Sequence, residues 1–303
     1  MDRLTQIEVF AKIAELLSVS RAAETLGMSI AAASRHLAGL EERLGARLIE
    51  RNTRRLWLTE AGTEFLQRSR QILDDLNEAE DAVAERVVAP QGLLRVTSSL
   101  SFAMLRIAPI LPEFLSLYPK LGVQISVSNR YFDFIESGID IAIRTREFEP
   151  DSSIVVRKLG STPRLLAASP AYLARRGTPK QPSDLAGHDM LVYNLANDPF
   201  TLNLRRGETT ERIRISSILD CNDGQVIRQA ALADMGILIQ PLYIIYRDLE
   251  EGRLVAVLRD WELPILNMNV AYQNRVRPPA KIKAFTEFLI GKVRSDAMSG
   301  IRY

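Results

Sequence analysis

The chain has 303 residues, 47% of them hydrophobic and 25% charged, which is material for about two soluble globular domains at roughly 150 residues each. Its net charge of +2 makes no bulk electrostatic case for a nucleic-acid partner, so any such case must come from local clustering. One cysteine (Cys221) and two histidines (His36, His188) rule out an internal disulfide and argue against a zinc cluster.

The N-terminus, residues 1–8, lacks the basic-then-apolar layout of a signal peptide. Ile7, Phe10, Ala14 and Leu17 recur at helical spacing and predict a first helix. Residues 20–27 read as a short second helix, and a third begins after Ser29, with Ser20 and Ser29 as the expected N-caps. Gly27 permits a tight turn between them, and Gly45 stops the third helix after Leu44. Ala33, Leu37, Leu40 and Leu44 are expected to face the core, leaving Ala31, Ser34 and Arg35 on or near the outer face. Helix, tight turn and helix is the pattern whose second helix can enter the DNA major groove.

Residues 47–58 read as a short hairpin, a candidate wing, because Leu56 and Leu58 alternate with Arg55 and Trp57. Between positions 43 and 55 stand five arginines (43, 47, 51, 54, 55) and one acid, Glu50. Thr59 is the expected cap of a long helix with no proline up to about Val88. Phe65, Ser69, Ile72, Leu76, Ala79 and Val83 keep the alternating three-four spacing of a coiled-coil seam. Eight acids and three arginines make this helix repel DNA, which confines DNA contact to about the first 58 residues.

Residues 89–92, Ala-Pro-Gln-Gly, are a break. Beyond it, strands are predicted at 93–97, 123–128, 139–143, 165–168, 236–240 and 266–271. Helices are predicted at 102–118 (interrupted near Pro109 and Pro112), at 132–137, from Pro170, at 223–233 and at 280–293. This alternation argues for an α/β sheet with parallel pairing. No apolar run reaches the roughly 20 residues of a bilayer span, so a soluble, cytoplasmic protein is expected.

Taken in order, residues 10–17, 20–27, 34–37, 40–48, 51–55 and 58–62, with Asp140-Ile141-Ala142-Ile143-Arg144 far downstream, resemble the LysR-type transcriptional regulators over essentially the whole chain. The resemblance implies an α+β multidomain protein. A winged helix-turn-helix (all-α with a β wing) would span 1–58 and a linker and dimerisation helix 59–89. An α/β effector-binding domain like the periplasmic solute-binding proteins would span 90–303. Its two subdomains would be about 92–161 plus 268–303, and about 162–267, with a small molecule between them. The chain departs from the family at Ile30-Ala31-Ala32-Ala33, which offers no hydrogen-bonding side chain. Base reading then falls to Ser29, Ser34, Arg35 and His36, with apolar contacts to thymine methyl groups.

Each candidate residue has a plainer alternative. Arg35 could read guanine, touch phosphate, or pair with Glu42. Ser34 could bind phosphate or bond back to its own helix. Arg51, Arg54 and Arg55 could grip phosphate or enter the minor groove, or be a solvated basic hairpin. Phe65, Ile72, Leu76 and Val83 could join two subunits or pack within one. Ser98-Ser99-Leu100-Ser101 joins a strand to a helix N-terminus, which makes Ser99 and Ser101 candidate anion ligands, although Ser101 could be only an N-cap. Asn129, Arg144 and Thr145 also end strands and could line the same cleft; Arg144 would meet an effector carboxylate or pair with Glu147 or Glu149. Phe200 and Asn222 are placed on the opposite wall by the resemblance alone. Cys221, with no resolving partner, is expected to be a buried structural residue.

The expected function is sequence-specific DNA binding in transcriptional regulation, modulated by a small-molecule effector, a small organic acid. The expected partners are double-stranded DNA, the effector, a second copy of the chain in a homodimer or tetramer, and RNA polymerase, with no membrane, cofactor or metal. The rivals are a solute-binding-like protein and an enzyme without a DNA role. The chain lacks G-x-S-x-G, G-x-G-x-x-G, P-loop and H-E-x-x-H motifs and is nearly free of histidine, which argues against the enzyme.

Overall fold

The structure, a computed structural model, describes residues 2–51, 55–83, 89–129, 138–146, 154–273 and 278–298. Two compact units divide the chain, the first drawn chiefly from residues 1–88 and the second chiefly from residues 89–303.

In the first unit, α1 (Arg3–Leu16) starts at Asp2, whose carboxylate accepts from the Leu4 and Thr5 amides at 3.2 Å each. Val9, Phe10 and Ile13 are its fully buried residues. Leu17, the last of the residues at helical spacing, is the helix terminus in a left-handed turn at φ +47 and is 53% exposed. α2 (Val19–Thr25) is capped by Ser18, whose hydroxyl accepts from the Arg21 amide at 3.3 Å; Ser20, the expected cap, lies inside the helix. α3 (Ile30–Leu44) follows a turn at Gly27 (φ +63), is capped by Ser29 onto the Ala32 amide at 3.1 Å, and ends at Gly45 in the left-handed region.

Ala33 and Leu40 are fully buried and Leu37 packs against them, but Leu44 is exposed. Glu41 supplies the inward contact of that last turn, its Oε1 accepting from the Leu48 and Ile49 amides at 2.8 and 3.1 Å. This bond ties the helix to a two-stranded antiparallel wing, β1 (Ile49–Arg51) with β2 (Leu56–Leu58), as the alternation of Leu56 and Leu58 predicted. Next comes α4 (Glu60–Val83), capped by Thr59 Oγ1 onto the Gly62 amide at 2.9 Å. Gly62 is required by close approach: a Cβ there would lie 1.9 Å from the Leu48 carbonyl oxygen.

The second unit holds two five-stranded sheets. One runs in the order β4 (Leu121–Val127), β3 (Gly92–Ser98), β5 (Ile141–Arg146), β14 (Leu266–Gln273), β6 (Ile154–Thr162). The other runs β11 (Ser217–Cys221), β8 (Met190–Tyr193), β12 (Ile237–Pro241), β7 (Arg164–Ala168), β13 (Val255–Val257). A hairpin of β9 (Thr201–Arg206) and β10 (Thr209–Arg214) stands apart from both. The expected parallel pairing holds for β3 with β4 and β5, and for β8 with β11 and β12. It fails at β14, β7 and β13, which pair antiparallel. The reason is the route of the chain: it leaves the first sheet at Thr162, enters the second at Arg164, and returns only at Leu266 to run between β5 and β6.

Residues 100–117 form one interrupted helical run with a π-helical turn at Ala103–Ile107 and a tight turn at Ala108–Ile110 before Leu111–Leu117, in keeping with Pro109 and Pro112. The run is apolar, with a mean hydropathy of 1.5, and Phe102, Ile107 and Phe114 place its inner face in the core beside Phe285 and Leu289. The helix expected at 132–137 lies outside the described residues.

Candidate functional site

The first candidate surface is the outer edge of α3. Ile30, Ala31 and Arg35 are exposed there, while Ser34 is half-buried. Ser29 directs its hydroxyl at the Ala32 amide. Arg35 and Glu42 are both exposed, and among the described residues they hold no ion pair with each other. His36 turns partly inward: it is half-buried and its Nδ1 is buried with no hydrogen-bond partner among the described residues. Of the basic cluster, Arg43 is bound to Gln6 Oε1 (3.1 and 3.3 Å) and Arg47 lies 3.7 Å from Glu41, so both have roles within the unit. Arg55 is exposed at the foot of the wing. Arg51 ends β1, but its side chain, like all of Arg54, lies outside the described residues.

On α4, the first half of the expected seam packs inside the chain. The Phe65 ring stands 5.5 Å from Phe10, Leu66 is buried, and Ser69 is fully buried with its hydroxyl unpartnered among the described residues. Farther along, Ile72 is 45% exposed and Leu76 half-buried, so the unpacked apolar face begins near Ile72. The Val83 side chain lies outside the described residues.

The second candidate site is a cavity of about 250 Å³ within the second unit. It forms where the carboxyl ends of parallel strands in both sheets face one another, as expected for open α/β sheets. Ser98 ends β3, Asn129 follows β4, Arg144 and Thr145 lie near the end of β5, Tyr193 ends β8 and Gln240 lies near the end of β12; all of them line it. Ser99 and Ser101 line it too. Ser99, not Ser101, is the N-cap of the following helix, its Oγ accepting from the Phe102 amide at 3.2 Å. Ser101 is buried, and its hydroxyl accepts from Gln225 Nε2 at 3.1 Å, reaching from one sheet's elements to the other's. Asn129 makes a second such link: its Nδ2 donates to the Asn222 carbonyl at 2.6 Å and to Asp223 Oδ2 at 3.2 Å.

Two sequence candidates fall outside the lining. Phe200 is 38% exposed, while its neighbours Pro199 and Thr201 line the cavity. Asn222 serves through its main-chain carbonyl, which Asn129 occupies. Cys221, expected to be buried, is half-buried at the end of β11, with Sγ 3.9 Å from Asn222 Oδ1.

Tyr243 was not singled out by the sequence, because it sits in an apolar stretch, 241–245, that reads as plain core. Its phenol is hydrogen-bonded to Ser99 and Thr145, and burial pushes it up to about 12 from the usual 10. Phe102 packs edge-on to its ring at 6.0 Å and the Arg106 guanidinium stands 6.0 Å from the ring centre. Gln240 and Arg164 were also missed. The rule of strand ends could have found Gln240, since 236–240 was read as a strand. Among the described residues the lining carries two arginines, Arg144 and Arg164, and one acid, Asp198, which lies 3.5 Å from Arg212. That balance favours an anionic or hydroxyl-rich small molecule.

Comparison with known proteins gives concordant matches along the chain. Residues 4–63 match the bacterial regulatory helix-turn-helix of the lysR family, and residues 89–294 match the LysR substrate binding domain. An HTH-type transcriptional regulator of Haemophilus influenzae is 36% identical over 282 residues, covering 93% of this chain and 98% of that protein. The Escherichia coli HTH-type transcriptional regulator DmlR is 32% identical over 287 residues, covering 94% and 93%. Among solved structures, CrgA, a LysR-type transcriptional regulator from Neisseria meningitidis, superposes with a TM-score of 0.62 at 30% identity, covering 97% of this chain and 99% of that one.

Proposed function

The chain belongs to the LysR family of bacterial transcriptional regulators, and from that premise we propose how its parts divide the work. The α3 edge enters the major groove, where Arg35 reads a base edge or grips phosphate and Ile30 and Ala31 meet thymine methyl groups. Ser29 shapes the start of that helix, Ser34 contacts phosphate, and His36 supports the helix from its inner side. Arg51, Arg54 and Arg55 hold the flanking backbone. The α4 seam from exposed Ile72 through half-buried Leu76, continued in sequence by Val83, pairs with a second copy to make a homodimer, the state that two half-sites on DNA require. Phe65 anchors that helix to its own unit. RNA polymerase is the partner through which bound regulator acts, and the work takes place in the cytoplasm, where the DNA is.

The cavity takes a small organic acid. Arg144 and Arg164 supply its positive field, and Ser99, Thr145 and Asn129 supply hydrogen bonds. Binding would shift the balance between open and closed arrangements of the two sheets, because Asn129 and Ser101 already link them. DNA and effector must then alter each other's affinity by the same factor.

The observation that carries the DNA reading is the exposed α3 edge, where Ile30, Ala31 and Arg35 face solvent beside a capped helix start. Footprinting on the DNA upstream of the chain's own gene, over a salt series and with candidate acids, tests it. The expected result is a protected site of two half-sites whose affinity falls steeply with salt. Absence of both a protected site and salt-dependent binding to bulk DNA would refute the reading.

A further inference from the structure

Gln240 lines the cavity and is 2% exposed. Its amide nitrogen Nε2 is wholly buried and has no hydrogen-bond partner among the described residues. An unmade bond of this kind is destabilising, and buried polar groups are nearly always paired, so such an orphan calls for an explanation. The neighbouring polar groups are already engaged: Ser101 accepts from Gln225, and Tyr243 is bonded to Ser99 and Thr145. The carbonyl end of Gln240 packs over Gly224, where a Cβ would lie 3.0 Å from Gln240 Oε1 and 3.3 Å from Ser101 Oγ. Glycine at 224 thus permits this close approach, and the terminal torsion that would bring Nε2 toward the cavity is soft.

We propose that Gln240 is the specificity-determining donor of this cavity, and that its Nε2 donates to a carboxylate oxygen of the bound ligand. The assignment rests on the effector-binding reading of the cavity. A carboxylate suits the surrounding charge, with Arg144 and Arg164 in the lining and Asp198 beside Arg212. A neutral amide suits the position better than a third cation would. An unpaired amide is tolerable in the ligand-free protein, whereas an unpaired buried charge is not. The ligand completes a bond that the protein leaves open, so part of its affinity comes from relieving an existing penalty.

The test uses the full-length chain, Gln240→Met (similar length, no donor), Gln240→Glu (donor exchanged for an acceptor), and three probe pairs: acetate and acetamide, succinate and succinamide, benzoate and benzamide. In the ligand-free protein, Gln240→Met is expected to leave Tm unchanged or raise it, since the orphan donor is gone. A lower Tm would show that Gln240 is a structural residue and would overturn the proposal. By calorimetric titration, at least one of the acids should bind the parent about tenfold more tightly than its amide, and Gln240→Met should weaken that acid by about tenfold. Gln240→Glu should weaken it further by placing like charges together. Binding of the acid to Gln240→Met within about twofold of the parent would overturn the role of Gln240 while leaving the effector reading intact. Binding of none of the acids would overturn the carboxylate assignment, and the DNA footprint would still report separately on the regulator reading.

Discussion

The two units keep their candidate functional groups in opposite environments. On α3 they are outside: Ile30, Ala31 and Arg35 face solvent, over a small core drawn from residues 9–66. In the cavity they are inside, and they hold one another. Ser101 meets Gln225, Asn129 meets Asn222 and Asp223, and Tyr243 meets Ser99 and Thr145. An exposed reading face can be changed one residue at a time with little effect on folding. A cavity of mutually bonded groups cannot, because removing one partner strands another. Substitutions on the α3 edge are therefore expected to leave folding unchanged, whereas most substitutions in the cavity disturb the second unit, Gln240 with its open amide nitrogen being the exception.

The harshest way to separate the units is through two glycines. A Cβ at Gly62 would stand 1.9 Å from the Leu48 carbonyl oxygen, and one at Gly236 would stand 2.2 Å from that of Asp189. Gly62→Ala and Gly236→Ala should each cost about 3 kcal/mol or more in their own unit. Scanning calorimetry should show Gly62→Ala lowering one transition and Gly236→Ala the other. Equal lowering of one shared transition would break the contrast.

Next in size is an effect confined to the cavity. The Tyr243 phenol is raised by burial to about 12 from 10, so the folded state keeps a proton that the unfolded chain gives up first. Its contribution is fully present below pH 10 and is lost as pH rises through about 12, amounting to about 3 kcal/mol. Tyr243→Phe should flatten the alkaline fall in Tm attributable to the second unit. An unchanged alkaline profile in that variant would refute the assignment.

Arg35→Ala should weaken operator binding by about 2 kcal/mol while leaving the unfolding free energy within about 0.5 kcal/mol of the parent. Fluorescence anisotropy and calorimetry on the same preparation check both halves, and a large fall in Tm would mean the α3 edge is not the independent reading face described. The smallest effect belongs to Asn129→Ala, which removes the bonds to Asn222 and Asp223. About 1 kcal/mol is expected, seen as faster amide exchange at the start of helix Gly224–Leu232. Unchanged exchange there would show that the link across the sheets contributes nothing.

What could be read without the structure was mostly local. Ser29, Gly27, Gly45 and Thr59 each do at their own position what their chemistry suggested, because a cap or a left-handed turn is decided by a few adjacent residues. The same holds for the strand-end rule, which located Ser99, Ser101, Asn129, Arg144 and Thr145, all of which line the cavity. Failures came where two local choices were nearly equal or where the deciding partner was distant. Ser18 and Ser20 are both good caps, and the packing of Ala22 and Ala23 into the core fits the earlier start. Phe200 and Asn222 were placed by resemblance, without a local signal to orient them, and neither side chain lines the cavity.

From the sequence alone came the order of helices, turn, wing, linker helix and alternating strands and helices, together with the family resemblance. These rest on periodicity, capping and turn chemistry, which short segments carry. Only the tertiary structure decided that β14 inserts between β5 and β6, that Glu41 bonds to Leu48 and Ile49, that Gly62 must lack a side chain, and that Tyr243 and Gln240 belong to the cavity. Each depends on a partner brought close by folding, and in β14 the paired residues are more than 100 positions apart, as with Asn267 and Ser161. Local composition carries no record of such a neighbour, so a tyrosine, a glutamine or a glycine acquires its role only when the chain closes around it.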